Sequence, residues 1–355
     1  MSRFFQNPSL TPYVPGEQPK MGTLVKLNTN ESPFPPVERA LYMAAEAGFR
    51  AHLYSDPTAS ALRQALAEKY GVSPDCVTVG NGSDEILDFA FGAFCCADTG
   101  AVFADITYGF YPVFADRQRV PYRTVPLRED FSIRPADYFH AGGTVFIANP
   151  NAPTGMALPW RDIEKIAVRN PHNVVVVDEA YVDFGGESSV LLTKYYDNIL
   201  VVGTFSKSRS MAGARLGFAI GCPALIRDLE TVRNSTNPYN VNAMTQAMGL
   251  GTLLEDEEIQ KRCATVARVR EDVVLRLRDM GFSVLPSRAN FIFARHGAIG
   301  GRALYTALRE KGFLVRHFDR DRIRDFVRVT IGKAEDMQAF LGAMREILSE
   351  NAKKD

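Results

Sequence analysis

Lys207 closes the run Thr204-Phe205-Ser206-Lys207, which follows an apolar stretch at 199–202, and Arg215 comes eight residues later in Ala212-Gly213-Ala214-Arg215-Leu216-Gly217. A lysine at the end of a buried strand, beside hydroxyls and near an arginine, is one that desolvation can strip of its proton. A neutral amine is a nucleophile for a carbonyl. Taken alone, Ser-Lys reads far better as a surface lysine in a loop. The four valines Val174-Val175-Val176-Val177 run into Asp178-Glu179-Ala180-Tyr181. That pattern reads as a buried parallel strand with two carboxylates at its C-terminal end, where open α/β sheets bind ligands. A carboxylate placed there needs a partner. A protonated pyridine nitrogen is one reading; a magnesium or phospho-enzyme carboxylate, or a plain helix cap, are the others. No GxxxxGK[ST] loop is present, which weighs against a nucleotide triphosphatase.

Two further turns follow apolar strands. In Gly80-Asn81-Gly82-Ser83-Asp84-Glu85 the glycines allow a sharp turn, and the apolar helix after it offers free N–H groups and a positive dipole end to a phosphate. Asn149-Pro150-Asn151-Ala152-Pro153-Thr154-Gly155 is a rigid loop able to aim a side-chain amide at a ligand. Taken alone, the first reads better as an ordinary strand-to-helix turn with a Ser or Asp cap, and the second is just a turn.

The elements that must position these residues alternate. Short apolar or β-branched runs at 77–79, 101–104, 122–125, 144–148, 174–177, 199–202 and 217–220 are separated by helical stretches such as 86–94 and 160–168. This is the pattern of a mainly parallel sheet with helices on both faces. Helices are expected at 37–47 and 59–70, and one continuous helix at 241–280. Beyond Gly281 strands at 283–285, 291–294, 314–316 and 327–331 interleave with helices at 301–311 and 334–348, a smaller α+β unit. The expected organisation is an extended arm at 1–36, a large domain at 37–250 and a small C-terminal domain at 251–355.

Composition bounds the function. The chain has 355 residues, enough to bury a full core, and its 41 basic and 41 acidic residues leave no net field for a nucleic acid. The five cysteines match no zinc spacing; Cys95-Cys96, inside an apolar run, read as buried thiols suited to a reducing cytoplasm. The five histidines form no metal-ligand pair, so no metal is expected. No apolar run has the length of a membrane helix, and the first twenty residues lack the apolar stretch of a signal peptide. Phe110-Tyr111 reads as packing, and the charge-dense segment 316–322 as either a solvated turn or a holder for the phosphate end of a substrate.

Taken in order, the landmarks Thr11-Pro12-Tyr13, Leu27-Asn28-Thr29-Asn30-Glu31, Tyr54-Ser55-Asp56-Pro57, Gly80–Glu85, Thr107-Tyr108-Gly109, the 149–155 loop, Asp178-Glu179-Ala180-Tyr181, Ser206-Lys207, Arg215, Val315-Arg316-His317-Phe318 and Arg328-Val329-Thr330-Ile331-Gly332 span nearly the whole chain. In this the chain resembles the fold-type I aminotransferases that depend on pyridoxal 5′-phosphate (PLP), and among them the histidinol-phosphate aminotransferase branch. The resemblance implies a large PLP-binding domain with a mainly parallel sheet and a small α+β C-terminal domain. It implies that Lys207 holds PLP as a Schiff base and shuttles a proton, that Asp178 pairs with the ring nitrogen, and that Tyr181 bonds the ring's phenolic oxygen. Tyr108 would stack on the ring. Ser83, Asp84, Thr204, Ser206 and Arg215 would surround the phosphate, with Asn151 beside the ring and Tyr54 reaching in from the other subunit of a homodimer. Arg328 would clamp a substrate carboxylate, with Arg316, Tyr13 and Asn30 near the rest of the substrate. The activity implied is exchange of an amino group between L-glutamate and imidazole-acetol phosphate, in the cytoplasm. An aromatic amino-acid aminotransferase, a threonine-phosphate decarboxylase and a catalytically silent PLP-fold binding protein are the alternatives. One position departs from the pattern: the residue before Pro-Thr-Gly is commonly Asn in these enzymes and is Ala152 here. That implies a raised ionisation midpoint for the imine on Lys207.

Overall fold

A computed structural model describes residues 10–19 and 24–353. The remainder of the expected arm (1–9 and 20–23) and the last two residues of the polar tail lie outside the described residues. In chain order the elements are β1 (Val25–Lys26), α1 (Glu38–Gly48), α2 (Ser60–Tyr70), β2 (Val77–Gly80), α3 (Gly82–Phe94), β3 (Ala101–Ala104), α4 (Tyr111–Gln118), β4 (Tyr122–Val125), β5 (Thr144–Ala148) and α5 (Trp160–Val168). They continue as β6 (Val175–Asp178), β7 (Ile199–Thr204), β8 (Gly217–Ile220), α6 (Pro223–Thr236), α7 (Ala243–Leu253) and α8 (Asp256–Asp279). The chain ends in β9 (Phe282–Val284), β10 (Phe291–His296), α9 (Gly301–Glu310), β11 (Phe313–Leu314), β12 (Arg316–His317), β13 (Val327–Thr330) and α10 (Ala334–Asn351).

The expected mainly parallel sheet is present. Seven strands run in the order β2-β8-β7-β6-β5-β3-β4, parallel throughout except for β8, which is antiparallel to both its neighbours. The strands β3, β5, β6 and β7 are buried along their whole length, which is why they read as unbroken apolar runs rather than alternating ones. Helices cover them through narrow apolar stripes: α5 buries Ile163, Ile166 and Ala167, spaced as one helix face requires. The antiparallel β8 matters for the site. Gly217 pairs with Gly80 on one side and with Thr204 on the other, so the ends of β2 and β7 meet across the first residue of β8.

The C-terminal part carries a four-stranded antiparallel sheet, β12-β13-β10-β9, packed on α8, α9 and α10. The segment β1 adds to β11 in parallel, so this end of the arm is fastened to the small sheet. The expected continuous helix at 241–280 is two helices, separated at Leu254 and Glu255. The acidic run Asp256, Glu257 and Glu258 is the first turn of a new helix, where negative charge meets the positive dipole end. Asp256 is also tied down by Lys69 and by the buried Arg209. Cys95 and Cys96 correct another expectation. The buried part of α3 ends before them, leaving Cys95 half-buried and Cys96 exposed, and all five cysteines are free. No helix of the described residues is long and apolar enough to cross a membrane, and no group of three metal-ligating side chains occurs among them.

Candidate active site

Two adjoining cavities, of about 290 and 90 Å³, open at the C-terminal ends of β3, β5, β6 and β7. Tyr108, Ala152, Tyr181 and Lys207 line both. The inner cavity is walled by Ser83, Asp84, Asp178, Thr204, Ser206 and Arg215; the outer one by Tyr13, Asn30, Arg316, Arg320 and Arg328 among others. Residues drawn from across the sequence therefore share one cleft at the strand ends, as the topology of an open α/β sheet requires.

At the floor, Asp178 ends β6 and is 6% exposed. Burial pushes its carboxyl up to about 6, against the pull of hydrogen bonds from Tyr111 and the Ala180 amide and of the nearby Lys207 charge. Tyr111 Oη donates to Asp178 Oδ2 at 3.0 Å. Tyr111, expected only to pack, is fully buried and holds this carboxylate, with burial and Asp178 both raising its own phenol far above the ordinary range. The sequence carried one hint of this: Tyr111 opens the helix after Thr107-Tyr108-Gly109. A buried, anionic carboxylate with a hydrogen-bonded but uncharged neighbour is a place for a cation.

Lys207 Nζ lies between the two cavities, 3.1 Å from the Thr29 carbonyl and 5.8 Å from the centre of the Tyr181 ring. Tyr181 packs edge-on against Phe291, and its hydroxyl accepts from Asn30 Nδ2 at 3.0 Å.

The opposite end of the inner cavity is an anion cradle. It is formed by the N-terminus of α3, Ser206 and Arg215, whose guanidinium lies 2.8 Å from Asp84 and 3.5 Å from Ser206 Oγ. Tyr108 Oη donates to the other Asp84 oxygen at 2.6 Å, so Asp84 orients both an arginine and a tyrosine. Two glycines make the approach possible. A Cβ on Gly82, whose φ is +79°, would stand 2.4 Å from Arg215 Nη2; one on Gly217 would stand 2.4 Å from the Ser83 amide nitrogen. Thr204, one of the three expected hydroxyls, spends its Oγ1 on the Leu216 carbonyl and the Ser206 amide and so braces the cradle.

In the outer cavity Arg328 of β13 and Arg316 of β12 are paired directly across the antiparallel ladder. Arg328 is sandwiched over Phe291 and Phe318 at 5.3 and 5.5 Å, and its Nε is buried without a hydrogen-bond partner. Burial pushes its guanidinium below the ordinary arginine value. Among the described residues Arg316 donates to the Val14 and Pro15 carbonyls and lies 5.6 Å from the centre of the Phe318 ring. Arg320, from the charge-dense segment, also faces the cleft, whereas Arg322 is fixed to Asp105 and two carbonyls and His317 to the Arg324 carbonyl. The segment is thus part turn and part cleft wall.

Asn151 departs from the expectation, whereas Tyr54, expected to act from the other subunit, lies outside the cleft of its own chain. Asn151 does not face either cavity: its amide donates to the Ile106 carbonyl and Thr154, and its oxygen accepts from Thr107, so it is spent on holding the loop. Ala152 takes the wall position with a methyl group. Tyr54 is 81% exposed and stacks on Tyr239, away from the cleft of its own chain.

The residues fit PLP on structural grounds: a buried carboxylate for a pyridinium, a lysine between the cavities, and an anion cradle that a single Cβ would fill. Comparison with known proteins agrees. Residues 22–344 match the family model described as aminotransferase class I and II. The histidinol-phosphate aminotransferase of Aromatoleum aromaticum is 48% identical over 345 residues, covering 96% of this chain and 97% of that protein. The histidinol-phosphate aminotransferase of Clostridium botulinum is 42% identical over 355 residues, covering 99% and 100%. In fold, the chain superposes on the histidinol-phosphate aminotransferase of Sinorhizobium meliloti in complex with pyridoxal-5′-phosphate with a TM-score of 0.84 at 23% identity, covering 92% and 91% of the two chains. It superposes on the L-threonine-O-3-phosphate decarboxylase of Porphyromonas gingivalis with a TM-score of 0.80 at 22% identity, covering 92% and 100%. By the family model and by full-length identity to its relatives, the chain belongs to the class I and II aminotransferases.

Proposed function

We propose that the protein is a PLP-dependent transaminase that exchanges an amino group between L-glutamate and imidazole-acetol phosphate, yielding L-histidinol phosphate and 2-oxoglutarate. The observation that carries this reading is full-length identity of 42–48% to histidinol-phosphate aminotransferases, combined with a cleft that presents two unneutralised arginines beyond the lysine.

Bound PLP supplies an electron sink for the Cα of an amino acid. The chain's own groups do the rest. Asp178, held by Tyr111, keeps the ring nitrogen protonated. Lys207 Nζ holds the cofactor and then carries the proton that moves at the substrate Cα. Tyr181 would donate to the ring's phenolic oxygen, and Tyr108, which lines the same cavity, would pack against the ring. The α3 N-terminus, Arg215 and Ser206 take the cofactor phosphate, with Asp84 orienting Arg215. Arg328 offers a bidentate fork to a carboxylate, and Arg316, Tyr13 and Asn30 line the space for the remainder of the substrate.

A homodimer completes the site in this reading. Leu53 and Tyr54 are more than half exposed and line a cleft of about 400 Å³ along α1, α2 and α7, and Tyr42 and Phe49 are likewise more than half exposed. An apolar surface of this kind marks an interface. Tyr54 would reach the cofactor phosphate of the neighbouring subunit. The absence of net charge and the free cysteines favour a cytoplasmic, soluble setting without nucleic-acid partners.

The decisive experiment is a half-reaction assay of the PLP form with histidinol phosphate, phenylalanine, tyrosine and threonine phosphate. Fastest conversion to the pyridoxamine form by histidinol phosphate is expected. Release of CO₂ without any 2-oxoglutarate-dependent turnover would overturn transamination. For the dimer, mixing Tyr54→Ala and Lys207→Ala variants is expected to recover activity, because one hybrid site then holds both intact residues.

A further inference from the structure

Asn30 is 1% exposed and has a φ of +57°, a backbone state that asparagine tolerates better than most residues. Its surroundings fix it completely. The backbone N–H of Asn30 donates to Thr330 Oγ1 at 2.9 Å, Thr330 returns its hydroxyl proton to Asn30 Oδ1 at 3.1 Å, and Asn290 Nδ2 donates to the Asn30 carbonyl at 3.0 Å. Because Thr330 has one proton and gives it to Oδ1, the amide nitrogen is the end that faces Tyr181, and it donates to the phenolic oxygen at 3.0 Å. Among the described residues nothing else bonds that oxygen. Ala152, which packs with Phe291 against the Tyr181 ring, offers only a methyl group on this wall.

Direction is the important feature. With its oxygen accepting from Asn30, the Tyr181 hydroxyl has its own proton free for the cavity it lines beside Lys207. A hydroxyl that accepts one hydrogen bond donates a stronger one, since the two polarise each other in a low-dielectric site. We propose that Asn30, locked by Thr330, is a positioning residue that orients and polarises Tyr181 so that a single phenol serves the cofactor oxygen on a wall where Ala152 cannot. The inference rests on the reading that PLP occupies this cleft with its phenolic oxygen towards Tyr181.

The test uses the PLP-loaded full-length protein and reads the pH midpoint of its visible absorbance band, independently of turnover. A donor to the ring's phenolic oxygen stabilises the state in which the imine has lost its proton, so weakening that donor raises the midpoint. Asn30→Gly keeps the positive φ and removes the amide. It is expected to raise the midpoint by roughly one pH unit, a tenfold change in the proton equilibrium. Tyr181→Phe is expected to raise it at least as far, and the double variant no further than Tyr181→Phe alone. Thr330→Val, which leaves the amide in place but frees its orientation, is expected to give a smaller rise in the same direction and serves if the glycine variant fails to fold. An unchanged midpoint in Thr330→Val and Asn30→Gly, or additive effects in the double variant, would overturn the proposal while leaving the PLP reading intact. A protein that takes up no PLP and shows no visible band would overturn both.

Discussion

Arg316 and Arg328 stand directly opposite each other on β12 and β13, and neither has a carboxylate partner among the described residues. Like charges at paired positions of an antiparallel ladder repel. Such a pair persists where an anion resolves it, which is the physical content of a substrate carboxylate or phosphate site.

Replacing Arg328 with lysine keeps the charge and removes the fork. Loss of a partner from a buried, charge-assisted contact costs about 2–5 kcal/mol. A fall in kcat/KM of roughly thirtyfold or more follows for glutamate and 2-oxoglutarate. Steady-state kinetics with both substrates checks this, and unchanged kcat/KM for either would remove Arg328 from the clamp.

Asp178 gives a stability prediction with a definite sign. Its folded-state value, raised to about 6, lies above that of an unfolded aspartate. The folded chain therefore binds the proton more tightly, and the group's contribution is full below the unfolded value and lost as pH rises through about 6. Without PLP, Asp178→Asn is expected to be more stable than the parent at pH 8, by about 1–3 kcal/mol, and to lose that advantage near pH 4. With PLP present the order reverses, because the carboxylate then has its cation. Thermal melts of both forms at the two pH values decide it.

Tyr111→Phe removes the hydrogen bond that holds Asp178 and lowers its value. The carboxyl then rises above about 6, and PLP is retained less well near neutral pH. Dialysis followed by the visible spectrum measures the retained fraction; full retention at pH 6.5 would show that Tyr111 only packs.

Gly82→Ala drives a methyl group into the Arg215 guanidinium at a positive φ. The fold is expected to persist with a stability loss of about 1 kcal/mol. Affinity for PLP drops at least tenfold, while pyridoxal lacking the phosphate binds as before. Equal loss for both ligands would place the damage outside the cradle.

Asp56 caps α2 from outside it, accepting from the backbone and hydroxyl of both Thr58 and Ser60, and these bonds hold its carboxyl well below the usual range despite some burial. Asp56→Ala is expected to destabilise the protein by about 1 kcal/mol at neutral pH. The difference shrinks as pH falls below the ordinary carboxylate range, since a depressed carboxylate stabilises only while ionised. Urea titrations at pH 7 and pH 4 measure it.

The strand ends were legible in the sequence because buried parallel strands announce themselves as runs such as 174–177 and because turn residues mark where they stop. That was enough to gather Lys207, Asp178, Ser83 and Arg215 at one edge. Tyr111 was not legible: a tyrosine beside a phenylalanine looks the same whether its hydroxyl meets a carboxylate or another ring. Asn151 and Ala152 show the converse. One residue along a loop decides whether an amide faces a ligand or braces the backbone, and local composition does not record which. The break between α7 and α8 was obscured by helix-forming residues on both sides, although the acidic triplet after it is a first-turn signature.

The antiparallel β8 has a consequence for how the protein assembles. Ser83 and Arg215 are far apart along the chain and become neighbours only when β8 has inserted between β2 and β7. No local fragment can imitate the cradle, so an anion that fits it binds only a chain whose sheet is complete. A cofactor phosphate held there, as proposed, would act as a clasp on the sheet's edge: its binding energy would be added to the finished fold and withheld from every partly ordered form.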